Sequence, residues 1–229
     1  MTGTCNSNSK GGGSGGNIAR NGLTLADGEK IEFDGNLKFD KLDKSVPEAV
    51  RKNLDDWESK RYKNKIEYAM AFNSDGTPIS REKRGSSGSV RAPYSFHYTE
   101  NSVFTHNHPR ESGLLGGTFS PSDLYNFAFG NNAACRATAK EGTYSISKGK
   151  NFNSKGFNAY IGKVYQEFKN NDTKKFNVLK DNYHSGKITY SQFQSQAAKS
   201  FNNSLIDLHN SYIAGQKQYG YTYTLEKRK

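Results

Sequence analysis

His106 and His108 stand two residues apart in Val103-Phe104-Thr105-His106-Asn107-His108-Pro109, and after a glycine-bearing excursion the chain continues Phe119-Ser120-Pro121-Ser122-Asp123-Leu124. Residues 103–105, β-branched and aromatic, read as a short strand. Residues two apart on a strand share a face, so both imidazoles can reach one ion. Pro109 then ends the ladder. Ser120 before Pro121, with Asp123 following, is a helix-start signature ahead of the apolar positions Leu124, Phe127 and Ala128. A histidine pair at a strand end and an acid at a helix start offer three ligands. Three protein ligands plus water form the open coordination shell of a catalytic zinc.

Plainer readings compete. Taken alone, Ser120 and Asp123 are a capping pair, since an acid in the first helical turn is favoured by the helix dipole. A His-x-His phosphoesterase needs several further histidines, and only His97, His184 and His209 remain, in scattered contexts. Glu67 lies in residues 65–72, where Ile66, Tyr68, Met70 and Phe72 alternate with Glu67, Ala69 and Ala71. Its face is shared with two alanines, which leaves room beside the carboxylate. A carboxylate at a strand end is otherwise simply solvated.

The order Glu67, then His106-Asn107-His108-Pro109, then Ser120-Pro121-Ser122-Asp123 resembles the signature of the JAMM (MPN+, or JAB) metallopeptidases, in wording closest to their bacterial and phage branch. The resemblance spans residues 30–150 and departs from the pattern in the ten residues 110–119 between the two pieces. Gly113, Gly116 and Gly117 give that longer loop the freedom to return the helix to the metal. What the resemblance implies is an α/β (α+β) fold with a curved mixed sheet flanked by helices. It also implies Zn2+ held by His106, His108 and Asp123, and a protein or peptide substrate cut at a peptide or isopeptide bond. Glu67 would be the general base, with Glu82, Glu100 and Glu111 as alternatives, and the Ser120 hydroxyl would help steady the oxyanion.

The elements that must carry these residues can be read along the chain. Residues 1–29 include Lys10-Gly-Gly-Gly-Ser-Gly-Gly16 and read as a flexible linker, of a kind that suggests a longer parent protein. Ile31-Glu-Phe33 and Leu37-Lys-Phe39 around Asp34-Gly35-Asn36 predict a hairpin. Ser45-Val-Pro-Glu48 predicts a capping box opening a helix to residue 61 with the stripe Val46, Val50, Leu54, Trp57. Residues 77–82 read as a strand after the Asn73-Ser-Asp-Gly76 turn, residues 81–91 as a basic loop, and residues 93–98, with His97, as a strand-like run. A helix over 121–131 and two strands flanking Lys140-Glu-Gly142 follow. Beyond residue 150 the period turns helical, from Phe157 to Tyr183 and from Phe193 to Tyr212 with a break at His184-Ser185-Gly186, before a strand carrying Tyr221, Tyr223 and Leu225. The organisation expected is thus a linker (1–29), a metal-binding domain (30–150) and a basic helical extension packed on it (151–229).

Composition bounds the rest. The chain has 229 residues, 33% hydrophobic, with 14 Tyr and 14 Phe supplying much of the burial. Two distant cysteines, Cys5 and Cys135, suggest neither a disulfide framework nor a cysteine zinc site. No apolar run is long enough for a bilayer and no signal peptide follows Met1, so the expected location is the cytoplasm, or a virion. Residues 150–229 hold 13 Lys or Arg against 5 Asp or Glu, most of the chain's +11. Such a face either is solvated or binds nucleic acid through phosphates without sequence preference. With the glycine linker, the arrangement also resembles the C-terminal domain of phage head-morphogenesis (minor capsid) proteins. That implies a second, non-catalytic possibility: a structural or nucleic-acid-associated domain keeping the fold.

Overall fold

The computed structural model describes residues 17–91 and 100–227. The glycine run and the His97 segment lie outside these residues. Among them are ten strands and four helices in a mixed α/β arrangement. β1 (Ile18–Arg20), β2 (Leu23–Thr24), β3 (Lys30–Ile31) and β4 (Asn36–Lys38) precede α1 (Glu48–Arg61), β5 (Tyr68–Phe72), β6 (Lys83–Arg84) and β7 (Val103–Asn107). Then come α2 (Pro121–Phe129), β8 (Ala134–Thr138), β9 (Thr143–Lys148), α3 (Ser154–His184), α4 (Tyr190–Tyr219) and β10 (Tyr221–Glu226).

A six-stranded sheet runs β10-β9-β8-β7-β5-β6. The β7–β8 pair is parallel, joined through α2, and the other pairs are antiparallel. Alternation along β5 and β7 separates two cores. Val46, Val50, Leu54 and Trp57 bury against Phe72, Val103 and Ala134 on the α1 face. Ala69, Ala71, Phe104 and Cys135 join Phe127, Phe157, Ile161, Leu205 and Tyr212 on the face covered by α2, α3 and α4. β10 forms an edge of the sheet against β9, so residues 151–229 complete the same core and are not merely packed upon it.

On the α1 face, Glu58 receives the Arg136 guanidinium at 2.7 and 3.0 Å, and Glu226 receives it at 3.0 Å. Thr105 and Thr143 donate hydroxyls to Glu58, so one buried network ties α1, β7, β8, β9 and β10. A buried ion pair needs this degree of hydrogen bonding to offset the loss of hydration.

Four local expectations are corrected. The linker ends sooner than residue 29: β1 and β2 pair with β4 and β3, and Ala19, Leu23 and Leu25 pack on the core. The hairpin around Asp34-Gly35 does not form. Its two arms pair instead with residues 18–24, and the turn is at residues 25–29, where Gly28 has φ 84°. The Ser45 capping box is absent, because the helix begins one residue after Pro47 and Asp43 takes the Ser45 N–H at 2.9 Å. The strand after the 73–76 turn falls at residues 83–84, not 77–82, leaving only a bridge from Pro78 to Phe72.

Candidate metal centre

β7 sits inside the sheet between β5 and β8, and all five of its residues are buried. Thr105 faces α1, whereas Phe104 and His106 stack on the opposite face at 5.3 Å between ring centroids. His108 lies just past the strand end, where its N–H donates to the Thr138 carbonyl at 2.9 Å. α2 brings Asp123. Its N-cap is Ser120, with Pro121 in the first turn, and the capping box is formed: Asp123 accepts from the Ser120 backbone N–H at 2.8 Å.

These pieces converge. His106 Nε2 and His108 Nε2 face each other at 2.8 Å, and Asp123 Oδ2 lies 3.5 and 3.9 Å from them. The three ligand atoms fall within 4.8 Å of one another. His108 Nδ1 is 3.1 Å from the Gly117 carbonyl, which can only accept, so the proton of neutral His108 is on Nδ1 and its Nε2 lone pair points at His106. Two imidazole nitrogens at that separation need a proton or a cation between them. Two imidazoles and one carboxylate are an N2O donor set of the kind zinc takes. The residues therefore fit the ion.

Electrostatics agree with the geometry. Burial, and charge on His106, push His108 down to about 4, keeping it neutral. Burial opposes charge on His106, but the Asp123 carboxylate, Glu67 and the Arg136 backbone together outweigh it and raise that imidazole. Asp123 in turn is held well below the carboxylate range: burial works to raise it, and His106 and the Ser120 hydroxyl prevail.

Glu67 immediately precedes β5. The pairing of Ala69 with His106, continued two residues, sets Glu67 opposite His108. Asn107, between the two histidines, accepts from the Tyr68 N–H at 2.6 Å and donates to the Ile66 carbonyl at 3.0 Å, bracketing Glu67. Glu67 lines a cavity of about 240 Å³ together with His108, Ser120 and Asp123. Burial raises its carboxyl above the ordinary range, with His106 acting in the opposite sense. The three alternative glutamates lie elsewhere. Glu82 is bound by Trp57 and Arg61, and Glu100 and Glu111 are exposed outside this cavity. Ser120 also lines the cavity, with its hydroxyl engaged by Asp123 at 2.7 Å and Ser122 at 2.9 Å.

The long loop of residues 110–119 is pinned from three directions. The Glu141 carboxylate accepts the Gly116 and Gly117 N–H groups, both at 3.0 Å, and the Tyr144 hydroxyl at 2.9 Å. Asn202 of α4 bridges Leu115 N–H and the Gly113 carbonyl at 2.9 Å each, and Glu29 accepts from Gly113 at 2.8 Å. Gly117 has φ +80°, and a Cβ on Gly116 would stand 2.3 Å from that of Ala139, so both positions require glycine. Sequence reasoning missed Glu141, Asn202, Glu29 and Asn107. Only Asn107 carried a signal, its place inside the motif. Comparison with protein-family models, with curated proteins and with solved structures finds no match to this chain.

Proposed function

We propose that His106, His108 and Asp123 hold one zinc ion and that the chain is a hydrolase of the JAMM type, cutting a peptide or isopeptide bond in a protein or peptide substrate. The observation that supports this best is two buried histidines and a half-buried aspartate with their ligand atoms within 4.8 Å of one another, beside a buried glutamate in the same cavity. Bound there, zinc supplies a Lewis acid and lowers the pKa of a coordinated water to about 7. Glu67 takes a proton from the attacking water and returns it to the leaving nitrogen, a role that suits a carboxyl raised by burial. His108 is held in one tautomer by Gly117, and Asp123 is held anionic by Ser120 and His106. To steady an oxyanion, the Ser120 hydroxyl must turn from Asp123, and the backbone Ser120 N–H then keeps the carboxylate in place.

The test pairs metal content with turnover. Zinc should bind at about one per chain and be lost in His106→Ala or His108→Ala. Glu67→Gln should keep zinc and fold while cleavage of a peptide and isopeptide panel drops about 10²-fold or more. Asp123→Asn should weaken zinc instead, because an anionic ligand becomes neutral. A wild-type chain that takes up no zinc at pH 7.5 refutes the reading.

A second reading, association with nucleic acid, draws on α3 and α4. Lys169, Lys174, Lys180 and Lys187 are exposed and make no ion pair among the described residues. Phe176, Tyr183 and Tyr190 are exposed on the same helical hairpin. Free lysines beside exposed rings suit phosphates and bases.

A further inference from the structure

The cavity around Glu67, His108 and Asp123 is not enclosed by the sheet and α2 alone. Tyr165 and Phe168 of α3 and Phe201, Leu205 and Leu208 of α4 line it as well. Their spacings, three on α3 and four and three on α4, put each set on one helical face. Tyr165, Phe168 and Phe201 are only half-buried, so ring surface is left toward the cavity and not wholly absorbed by the core. The result is a two-sided chamber, with ionisable groups on one wall and an apolar, partly aromatic wall facing them.

That wall is registered to the metal ligands. A Cβ built on Gly117 would stand 3.1 Å from Leu205 Cδ2, so α4 packs directly on the residue whose carbonyl holds His108. Asn202, one turn earlier, grips the same loop. An apolar cavity of about 150 Å³ already accepts a benzene ring. The chamber here, at about 240 Å³, has room for a ring and part of the backbone that carries it. Water against the apolar wall is displaced favourably only by an apolar side chain.

We propose that α3 and α4 form a side-chain subsite, and that the scissile bond is taken with a large apolar or aromatic residue beside it. This rests on the zinc-hydrolase reading above. It assigns to the C-terminal helices the selection of substrate by a residue flanking the bond.

The experiment uses the zinc-loaded full chain and two probes, acetohydroxamate and 3-phenylpropanohydroxamate, titrated by calorimetry. The phenyl probe should bind about 10- to 100-fold more tightly, the scale set by burying one aromatic side chain. Phe168→Ala and Phe201→Ala should each reduce that advantage several-fold and leave acetohydroxamate unchanged. Val178→Ala, exposed further along α3 and outside the cavity, should leave both affinities unchanged. Circular dichroism and zinc content guard against misfolding, and the wild-type comparison of the two probes stands if either variant fails to fold. Equal affinity of the two probes in wild type, or an advantage that persists in both variants, overturns the subsite while leaving zinc binding intact. Absence of zinc from the wild-type chain overturns the metal reading, and the subsite with it.

Discussion

If His106, His108 and Asp123 hold zinc as proposed, replacing Glu141 should weaken that binding although Glu141 is not among the three. Its carboxylate accepts three hydrogen bonds, from Gly116, Gly117 and Tyr144, at 2.9 to 3.0 Å, and is 4% exposed. In Glu141→Ala those three donors lose their acceptor, and each left buried costs about 1–3 kcal/mol. The cheaper response is for residues 110–119 to open toward water. The Gly117 carbonyl then leaves His108 Nδ1, and the ring loses the contact that sets its tautomer and aim. That hydrogen bond alone is worth about 1 kcal/mol, or about fivefold in affinity, and loss of an outer-sphere partner usually costs 10- to 100-fold.

We therefore expect Glu141→Ala to bind zinc about 10- to 100-fold more weakly at pH 7.5, with stoichiometry still one. Glu141→Gln should fall between. Its amide oxygen can serve Gly117 and Tyr144, which share Oε1, while its NH2 meets the Gly116 N–H donor to donor. Competition with a chromogenic chelator measures affinity, and urea unfolding of the metal-free chain measures stability separately. An alanine variant that folds and holds zinc within twofold of wild type refutes the chain of contacts from Glu141 through Gly117 to His108.

Three further outcomes are expected. Arg136→Ala leaves Glu58 and Glu226 buried without their cation, so urea unfolding should show a loss of about 3–5 kcal/mol, and a loss below about 1 refutes the network's role. His209 donates to the Tyr223 hydroxyl, its Nε2 has no partner among the described residues, and burial pushes it down to about 4. The unfolded chain protonates that residue near 6.5, so stability is lost as pH falls from 6.5 to 4, by up to about 3 kcal/mol, and His209→Asn should flatten that slope. If the lysines of α3 and of the turn that follows it bind nucleic acid, affinity for any sequence should fall steeply between about 50 and 200 mM salt, and no binding at low salt leaves them a solvated face.

Long helices with an aromatic period were legible: Phe157, Ile161 and Val164 are buried where the 3.6-residue repeat put them, and the break at residues 184–186 is the turn between α3 and α4. So was the β8–β9 pair. The N-terminal ribbon was not. Asp34-Gly35-Asn36 has good turn chemistry, but the arms find better partners in residues 18–24, whose short apolar content hid beside a glycine run. Ile31, Phe33, Leu37 and Phe39 are buried as the alternation requires, but their two arms take residues 18–24 as ladder partners and not each other, so the local turn signal lost to strand pairing from earlier in the chain.

At the site the division has the same physical root. His106, His108, Ser120 and Asp123 lie within 18 residues; the strand period sets both imidazoles on one face and the capping signal sets Ser120 and Asp123 at a helix start, and the fold brings the two pieces together. What aims those side chains comes from far along the chain: Glu29 from the β2–β3 turn, Glu141 from the β8–β9 turn, Asn202 from α4. None has a local motif, because a carboxylate or carboxamide that holds a loop needs only position, and position is a property of the folded sheet. Lys140-Glu-Gly142 reads as an ordinary hairpin turn, yet its glutamate is what makes a ten-residue loop as definite as a short one. A loop of that length costs little extra entropy to close, since closure grows only with the logarithm of length. The ligand geometry therefore depends less on how long the loop is than on how many fixed acceptors and donors meet it, and here three elements do.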